Sequence, residues 1–460
     1  MWPISLPWLA SLKRFLFKIS FVFGCLGLGG IGCVRGQIQH QEQAMRPAKK
    51  PPAQIVDDLG LTNLSEALRV NVDFLSQDSQ RLGEFMVFGP RRIERRLYAK
   101  SLRHLLAELK SDPSGQSFIR AVKENFQFYE VYGDERWGQV FVTAYFEPIL
   151  KASPKAPSRS SSPSGSGSPF SQPLYRAPDD LVTVPLGQFA ERFPHWSLFA
   201  DFFSKVSPRD NLLRGRLVNA HVGMGPGSSV IPYFDRQEID SGLALRGRGL
   251  EIAWVDPIDA FFLHIQGSGS LEFPDGRTLR VGYASQNGHP YVPIGRYLLD
   301  VIDREQMSLQ RIEAHLRSLP REEQQQLMFK NPSYIFFQEL KGQPLTFMGT
   351  EVVEGRTIAT DYQHFPKGAL AYLEFPEPLF SSPKDITPSE WKPSSRFVLD
   401  QDTGGAIRGP HRVDLFWGRG EGAKQAAGVM RHPGRLHYLV PSESLLAQLR
   451  DQSQSNSISP

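Results

Sequence analysis

"SSRFVLDQDTGGAIRGPHRVDLFWG", residues 394–418, holds two short apolar strands joined by a glycine-rich turn, with aspartates at 402 and 414. Gly404, Gly405 and Gly409 permit positive φ and close backbone approach. The period of a strand sends Val413 and Leu415 to one face and Asp414 to the other. Neighbouring sequence continues in the same style. "GRTIATD", "GALAYLEF" and "RLHYLVP" are further short strands punctuated by Gly and Pro, and several short strands at this spacing suggest a barrel.

Upstream of residue 345 the pattern is mixed. "IDAFFLHIQGSGSLEF", the turn "PDGR" and "TLRVGYASQ" read as a β-hairpin, and helices are expected at "PIGRYLLDVIDREQ" and "SLQRIEAHLRSLPREEQQQLM". "GQVFVTAYFEPIL" is rich in aromatic and β-branched residues and reads as a strand. Before it, "SEALRVNVDFLSQ" and "RRIERRLYAKSLRHLLAEL" read as helices; in the second, Ile93, Leu97, Leu102, Leu105, Leu106 and Leu109 keep a 3.6-residue period. The fold class is therefore mainly β with α. "SPKAPSRSSSPSGSGSPFSQP", residues 153–173, is too polar to repay the cost of ordering its backbone and is expected to be a disordered surface loop. In the tail, 446–460, the polar stretch "LRDQSQSNSISP", residues 449–460, is expected to fray.

With 460 residues, 40% hydrophobic and 11% aromatic, the chain can bury a substantial core. A net charge of +4, spread along the chain, concentrates no field for nucleic acid. Both cysteines, Cys25 and Cys33, precede the folded body, so that body must be stable without a disulfide or a thiolate metal site. Lys13, Arg14 and Lys18 precede the apolar run "ISFVFGCLGLGGIGC", which has the length of a signal-peptide core and falls short of the ~20 residues of a spanning helix. Residues 1–33 are thus expected to be an export leader, with Cys25 or Cys33 as a candidate lipid-bearing residue, and 34–54 a polar tether. A plain cleaved signal or an uncleaved anchor with inert cysteines is the alternative.

Three aspartates at strand ends, Asp361, Asp402 and Asp414, would form a carboxylate cluster whose mutual repulsion raises one pKa, as a general acid needs. The same residues could equally cap turns and satisfy backbone amides. On "TAYFEP", Thr143 and Tyr145 share one strand face. Hydroxyl and aromatic groups side by side suit a sugar ring, although a half-exposed strand would also carry them. Glu147 is expected to face solvent. Gln266 and Ser268 in "HIQGSGSLEF" are candidate carbohydrate hydrogen-bonding groups; no helix follows those glycines and no GKS or GKT occurs, which excludes a phosphate-cradling loop. Asn287 and Tyr291 sit on an Asn-Gly turn that is either structural or lines a cleft. The histidines lack metal-ligand spacing, so neither a metal nor a cofactor is expected.

Several long segments in order resemble the membrane-bound lytic murein transglycosylase A family of bacterial cell-wall enzymes. They are "AYFEP", "GRGLEIAWVDPIDAFFLHIQGSGSLEFPDGRTLRVGYASQNGHPYVPIGRYL", "NPSYIFF" and "QDTGGAIRGPHRVDLFWGRGEGAKQAAGVM". The resemblance spans about 60–442. It implies a double-psi β-barrel domain, here 55–147 with the N-terminal helices plus 346–445, and a second β-rich domain, 148–345, inserted in it, with a substrate groove between the two. It implies Asp414 as the catalytic acid, with Asp402, Asp361, Thr143 and Tyr145 on the substrate. Ala144, where the family commonly has Gly, and the loosely matching "DYQHFPKG" depart from its pattern. The implied reaction cleaves the β-1,4 bond between N-acetylmuramic acid and N-acetylglucosamine in peptidoglycan and leaves 1,6-anhydro ends. The implied setting is a periplasmic, lipid-anchored monomer whose partners are glycan strands and the membrane. Two alternatives remain: a hydrolase on the same scaffold with Asp402 as base for water, and a peptidoglycan-binding module without catalysis.

Overall fold

The structure is a computed structural model that describes Ile38 and residues 41–458, apart from 78–82, 134–135, 157–168, 187–211, 221–226, 243, 343 and 405–406. The leader with Cys25 and Cys33, and most of the Ser/Pro loop, lie outside the described residues.

The N-terminal part runs β1 (Met45–Pro47), α1 (Leu64–Ser76), a hairpin of β2 (Phe85–Phe88) and β3 (Arg91–Glu94), α2 (Arg95–Ser111), α3 (Gln116–Asn125), β4 (Phe126–Val131) and β5 (Gln139–Glu147). A middle region follows, with β6 (Ile149–Lys151), β7 (Gln172–Tyr175), β8 (Leu181–Pro185), β9 (Leu212–Ala220), β10 (Gly227–Pro232), β11 (Glu251–Val255) and α4 (Pro257–Gln266). It continues through β12 (Ser268–Glu272), β13 (Thr278–Gln286), α5 (Leu309–Ser318), α6 (Arg321–Phe329) and β14 (Ile335–Leu340). The C-terminal part contains β15 (Thr357–Ala359), β16 (Ala369–Leu379), β17 (Glu390–Asp402), β18 (Arg412–Arg419), α7 (Gly420–Ala427), β19 (Arg431–Pro441) and α8 (Glu443–Ile458).

β5, β19, β16, β17, β15 and β18 close on themselves in that order, because β18 also pairs with β5. Two of these pairings, β15 with β17 and β18 with β5, are parallel. Parallel partners cannot be joined by a tight turn, so β5, from the N-terminal part, must wait for β18, some 270 residues later, to be seated. Closure removes free edges. The barrel core takes the alternating inward residues Val140 and Val142 of β5, Val413 and Leu415 of β18, Leu436, Tyr438 and Val440 of β19, and packs the helices α1–α3 through Leu68, Leu102 and Val122. The Tyr98 phenol of α2 bridges two strands. It donates to Leu439 O (3.1 Å) and accepts from Leu370 N (3.0 Å).

The middle region has its own apolar clusters, one around Leu174, Val255, Leu263 and Val281 and another around Ile258, Phe261, Ile294 and Leu316. Its β6–β12–β13–β14 sheet starts directly after β5. It meets the barrel at Phe146, Leu309, Trp417, Ala423 and Ala427.

Several expectations need correction. "IDAFFLHIQ" is not the first arm of a hairpin but helix α4. Asp256 Oδ1 accepts from the amides of Ile258 (3.0 Å) and Asp259 (3.1 Å), Pro257 opens the first turn, and Gly267 closes the helix at φ +81°. The helix is apolar on more than one side because it packs between both clusters, which hides the amphipathic signature. The hairpin is β12–β13 alone. "PIGRYLLDVIDREQ" forms two 3₁₀ turns, Ile294–Tyr297 and Arg304–Gln306, rather than an α-helix; Gly295 weakens the helix, and Leu299 (50%) and Val301 (62%) stay exposed. Part of the expected tether is folded, since Met45–Pro47 pairs with β4. Leu445 and Leu446 are buried in the barrel core, and α8 runs on to Ile458. Glu147 does not face solvent: it is fully buried between Ser270 Oγ (2.7 Å) and Arg419 Nε (3.0 Å). A carboxylate at the crossing point of two chain segments needs partners once water is excluded, and the middle region supplies one of them.

Candidate active site

The site is assembled by strand register. Ala359, the last residue of β15, lies opposite Asp402 of β17 on one side and Asp414 of β18 on the other. Asp414 in turn lies opposite Thr143 of β5. Because β5 alternates faces, Thr143 and Tyr145 point to the same side. The Thr143 hydroxyl donates to Asp414 Oδ1, and the Tyr145 phenol donates to Asp402 Oδ2 (3.0 Å). Phe146, between these contacts and the middle region, turns to the other face with Ala423 and Ala427. Four of the residues singled out from sequence therefore form one constellation.

Arg412, two residues before Asp414 on the same strand face, clasps it at both oxygens: Nε to Oδ1 at 2.8 Å and Nη2 to Oδ2 at 3.0 Å. Its Nε also reaches Thr143 Oγ1 (3.1 Å). This two-point geometry is that of a guanidinium on a carboxylate. Asp402 Oδ1 accepts the backbone amides of Phe347 (2.9 Å) and Thr403 (2.8 Å). Burial nonetheless pushes its carboxyl above the usual aspartate range, against those amides, the Tyr145 phenol and Lys367. Burial, and then the charges of Asp402 and Asp414, push the Tyr145 phenol well above its ordinary value, so it stays a donor.

Beneath the site lies a buried ionic cluster that the sequence reading missed. Lys367 Nζ donates to Asp400 Oδ1 (2.6 Å), Thr360 Oγ1 (2.7 Å) and the backbone oxygen of Asp402 (2.8 Å). Thr360 Oγ1 (2.6 Å) and the Tyr438 phenol (2.5 Å) donate to Asp400 Oδ2. A buried pair endures only when its remaining hydrogen-bonding capacity is met; here it is met, and the cluster fixes the backbone that presents Asp402. Its members come from the loop between β15 and β16, from β17 and from β19, so no local pattern signals it. Arg412 was legible, because its spacing to Asp414 places both on one strand face.

Asp361 follows β15 directly but is 3% exposed. Its oxygens accept the amides of Gly409 (2.8 Å) and Gln363 (3.2 Å). Burial opposes its ionisation, yet the hydrogen bonds from His364, Gly409 and Gln363 hold it below the usual range. Gln266, the last residue of α4, accepts the Phe146 amide (3.2 Å), tying the middle region to β5 beside Tyr145; Ser268 opens β12 two residues later. Asn287 is structural: 1% exposed, it donates to Phe234 O and Pro332 O and accepts from Tyr334 N. Tyr291 is 40% exposed and lies within range of the Arg412 charge. A separate cavity of about 420 Å³, lined by Ile55, Leu61, Arg120 and Lys123, shares none of these residues.

Barrel, inserted region and paired carboxylates define a class of two-part β-barrel protein with an acidic site built from strand ends. Residues 141–338 match the family model of the MltA specific insert domain, and 356–440 that of the 3D domain. The membrane-bound lytic murein transglycosylase A of Vibrio cholerae is 34% identical over 208 residues, 44% of this chain and 54% of that protein. Its counterpart in Escherichia coli strain K12 is 32% identical over 249 residues, 52% of this chain and 65% of that protein. The chain thus spans less than two thirds of either relative. The crystal structure of membrane-bound lytic murein transglycosylase from Agrobacterium tumefaciens superposes with a TM-score of 0.61 at 29% identity, covering 83% of this chain and 93% of that one. The insert-domain match, these relatives and the solved structure all place the resemblance with membrane-bound lytic murein transglycosylases of the A type.

Proposed function

We propose that this protein is a lytic transglycosylase that cleaves the β-1,4 bond between N-acetylmuramic acid and N-acetylglucosamine in peptidoglycan and leaves 1,6-anhydro ends. The observation that carries the reading is the convergence of Asp414, Asp402, Thr143 and Tyr145 on one register point, within the two regions that match the family models. Asp414 protonates the glycosidic oxygen as the bond to C1 breaks. Its carboxylate then takes the proton of the muramoyl C6 hydroxyl, which closes onto C1. The nucleophile is part of the substrate, so orientation replaces a captured water, and one carboxyl serves as acid and then base.

The clasp by Arg412 has a consequence for this cycle. A protonated carboxyl carries no charge and its hydroxyl oxygen is a weaker acceptor, so the two-point hold by Arg412 then loosens. The Thr143 hydroxyl, which can rotate from donor to acceptor, is placed to accept a hydrogen bond from the Asp414 carboxyl in that state, until the proton passes to the glycosidic oxygen. When the carboxylate returns, the clasp closes again. Both Asp402 oxygens already accept hydrogen bonds, Oδ1 from the amides of Phe347 and Thr403 and Oδ2 from the Tyr145 phenol; this assigns Asp402 and Tyr145 to substrate orientation. Gln266 and Ser268 contribute hydrogen-bonding groups from the other wall. Asp361 acts by holding the Gly409 turn.

The relatives are described as membrane-bound, and among the described residues no helix is long and apolar enough to cross a membrane. The expected route to the membrane is a lipid on Cys25 or Cys33, tested by lipid labelling of Cys25→Ala and Cys33→Ala. The reaction itself is tested by digesting purified sacculi and reading the ends by mass spectrometry. Anhydro ends from the wild type and at least a ~1,000-fold loss in Asp414→Asn are expected, on the scale of removing an essential acid–base group. Reducing muramic acid ends would establish a hydrolase instead, and full activity in Asp414→Asn would remove that residue from the mechanism.

A further inference from the structure

Phe347 is 41% exposed, while Thr346 (5%) and Met348 (0%) on either side of it are buried. The backbone there is rigid. Gly349 N bonds Thr346 O (2.8 Å), Met348 N bonds Gln401 O (3.2 Å), and the hydroxyls of Thr346 and Thr350 meet at 2.8 Å. The amide of Phe347 is the one that donates to Asp402 Oδ1 (2.9 Å). One residue thus positions a site carboxylate with its backbone and shows its ring to solvent. The ring stacks on Tyr362, with centroids 5.3 Å apart and planes 18° from parallel. Tyr362 follows Asp361, so the stack stands between the segments that carry Asp361 and Asp402.

We infer that Phe347, backed by Tyr362, is a platform for one sugar ring of the glycan next to the cleavage site, a specificity-determining contact that rests on the function proposed above. A single exposed aromatic is ordinary on a protein surface; one held in a fixed turn, stacked from behind and tied to a catalytic-site carboxylate is not. The occupant is an N-acetylated pyranose. Its axial C–H face and acetyl methyl match an aromatic face, while its hydroxyls need the polar groups that Asp402 and Tyr145 provide. Because Tyr362 already fixes the ring, little rotamer freedom is lost on binding.

The test uses the full-length protein carrying Asp414→Asn, titrated calorimetrically with a hexamer of β-1,4-linked N-acetylglucosamine. Adding Phe347→Ala should weaken binding about tenfold, whereas Phe347→Tyr, which keeps the ring, should stay within about threefold. With Asp414 intact, Phe347→Ala acting on soluble glycan strands should raise KM about tenfold and leave kcat within about threefold, the mark of a contact made equally in ground and transition states. Hexamer affinity and KM within about twofold of the parent protein, or no hexamer binding at all, would overturn the platform. Absence of anhydro ends from the wild type would instead overturn the proposed reaction, and the binding arm would still decide the platform.

Discussion

At the scale of residues, the two carboxylates of the site are held in opposite ways. Asp414 is offered a cation and a hydroxyl, whereas Asp402 receives neutral donors in a buried setting. Tyr145 is the donor whose removal is most informative, since Tyr145→Phe deletes one hydrogen bond and keeps the ring that packs at 5.2 Å from Phe416. Turnover is expected to fall about tenfold, the worth of one hydrogen bond to an ionisable group at ~1.5 kcal/mol, measured as release of soluble glycan fragments. An unchanged rate would take Tyr145 out of the mechanism. The aspartates and their strand faces were readable from alternation with Val413 and Leu415. That Thr143 and Tyr145 would meet them was not, because these donors stand 271 and 257 residues away in sequence.

Among the elements, β18 carries the most information. It is parallel to β5 and antiparallel to β15, and its register with β5 shifts between Phe416 and Arg419. Gly418 sits in that irregularity at φ +118°, and a Cβ there would stand 2.5 Å from the Glu354 carboxyl carbon. The Glu354 side chain is exposed and can swing aside, so the backbone conformation sets the cost. Gly418→Ala should destabilise the protein by about 1–3 kcal/mol, read from denaturant melts. Catalysis by the folded fraction should survive, since Asp414 lies on the regular part of the strand; loss of activity without loss of stability would show that the bulge positions the acid. α4 makes the contrasting case. Its caps, Asp256 and Gly267, were present in the sequence, but aromatic and β-branched content outweighed them in the reading, because burial on two sides masks the helical period.

For the whole molecule, closure of the barrel buries groups that then respond to pH. His437, on β19, is fully buried, and burial together with Arg435 lowers its pKa from 6.5 to about 4, with Glu130 opposing. Glu374 lies 3.8 Å away but finds a neutral ring. Above the unfolded value both states leave the ring unprotonated and stability is complete. As pH falls from 6.5 toward about 4 only the unfolded chain gains the proton, and stability is lost, by about 3 kcal/mol at 1.36 kcal/mol per unit. Urea melts of the wild type and His437→Gln at about pH 7.5 and about pH 4 should show a shallower loss in the variant. Equal losses would mean that other groups govern acid sensitivity; Asp240, whose pKa is raised to about 6 by burial, contributes with the opposite sign and offsets part of the loss.

The sequence by itself determined the local matters: which segments alternate as strands, where Gly and Pro end them, that Asp414, Thr143 and Tyr145 occupy chosen faces, and, through ordered motifs, the family resemblance. Tertiary structure alone decided that Ala359 stands opposite both Asp402 and Asp414, that Arg412 and Thr143 share the Asp414 carboxyl, that Glu147 is buried at the crossing, and that Lys367 and Asp400 are locked beneath the site. The reason is physical. Alternation and capping act over a few residues, whereas parallel register and the pairing of buried charges depend on which distant segment excludes the water.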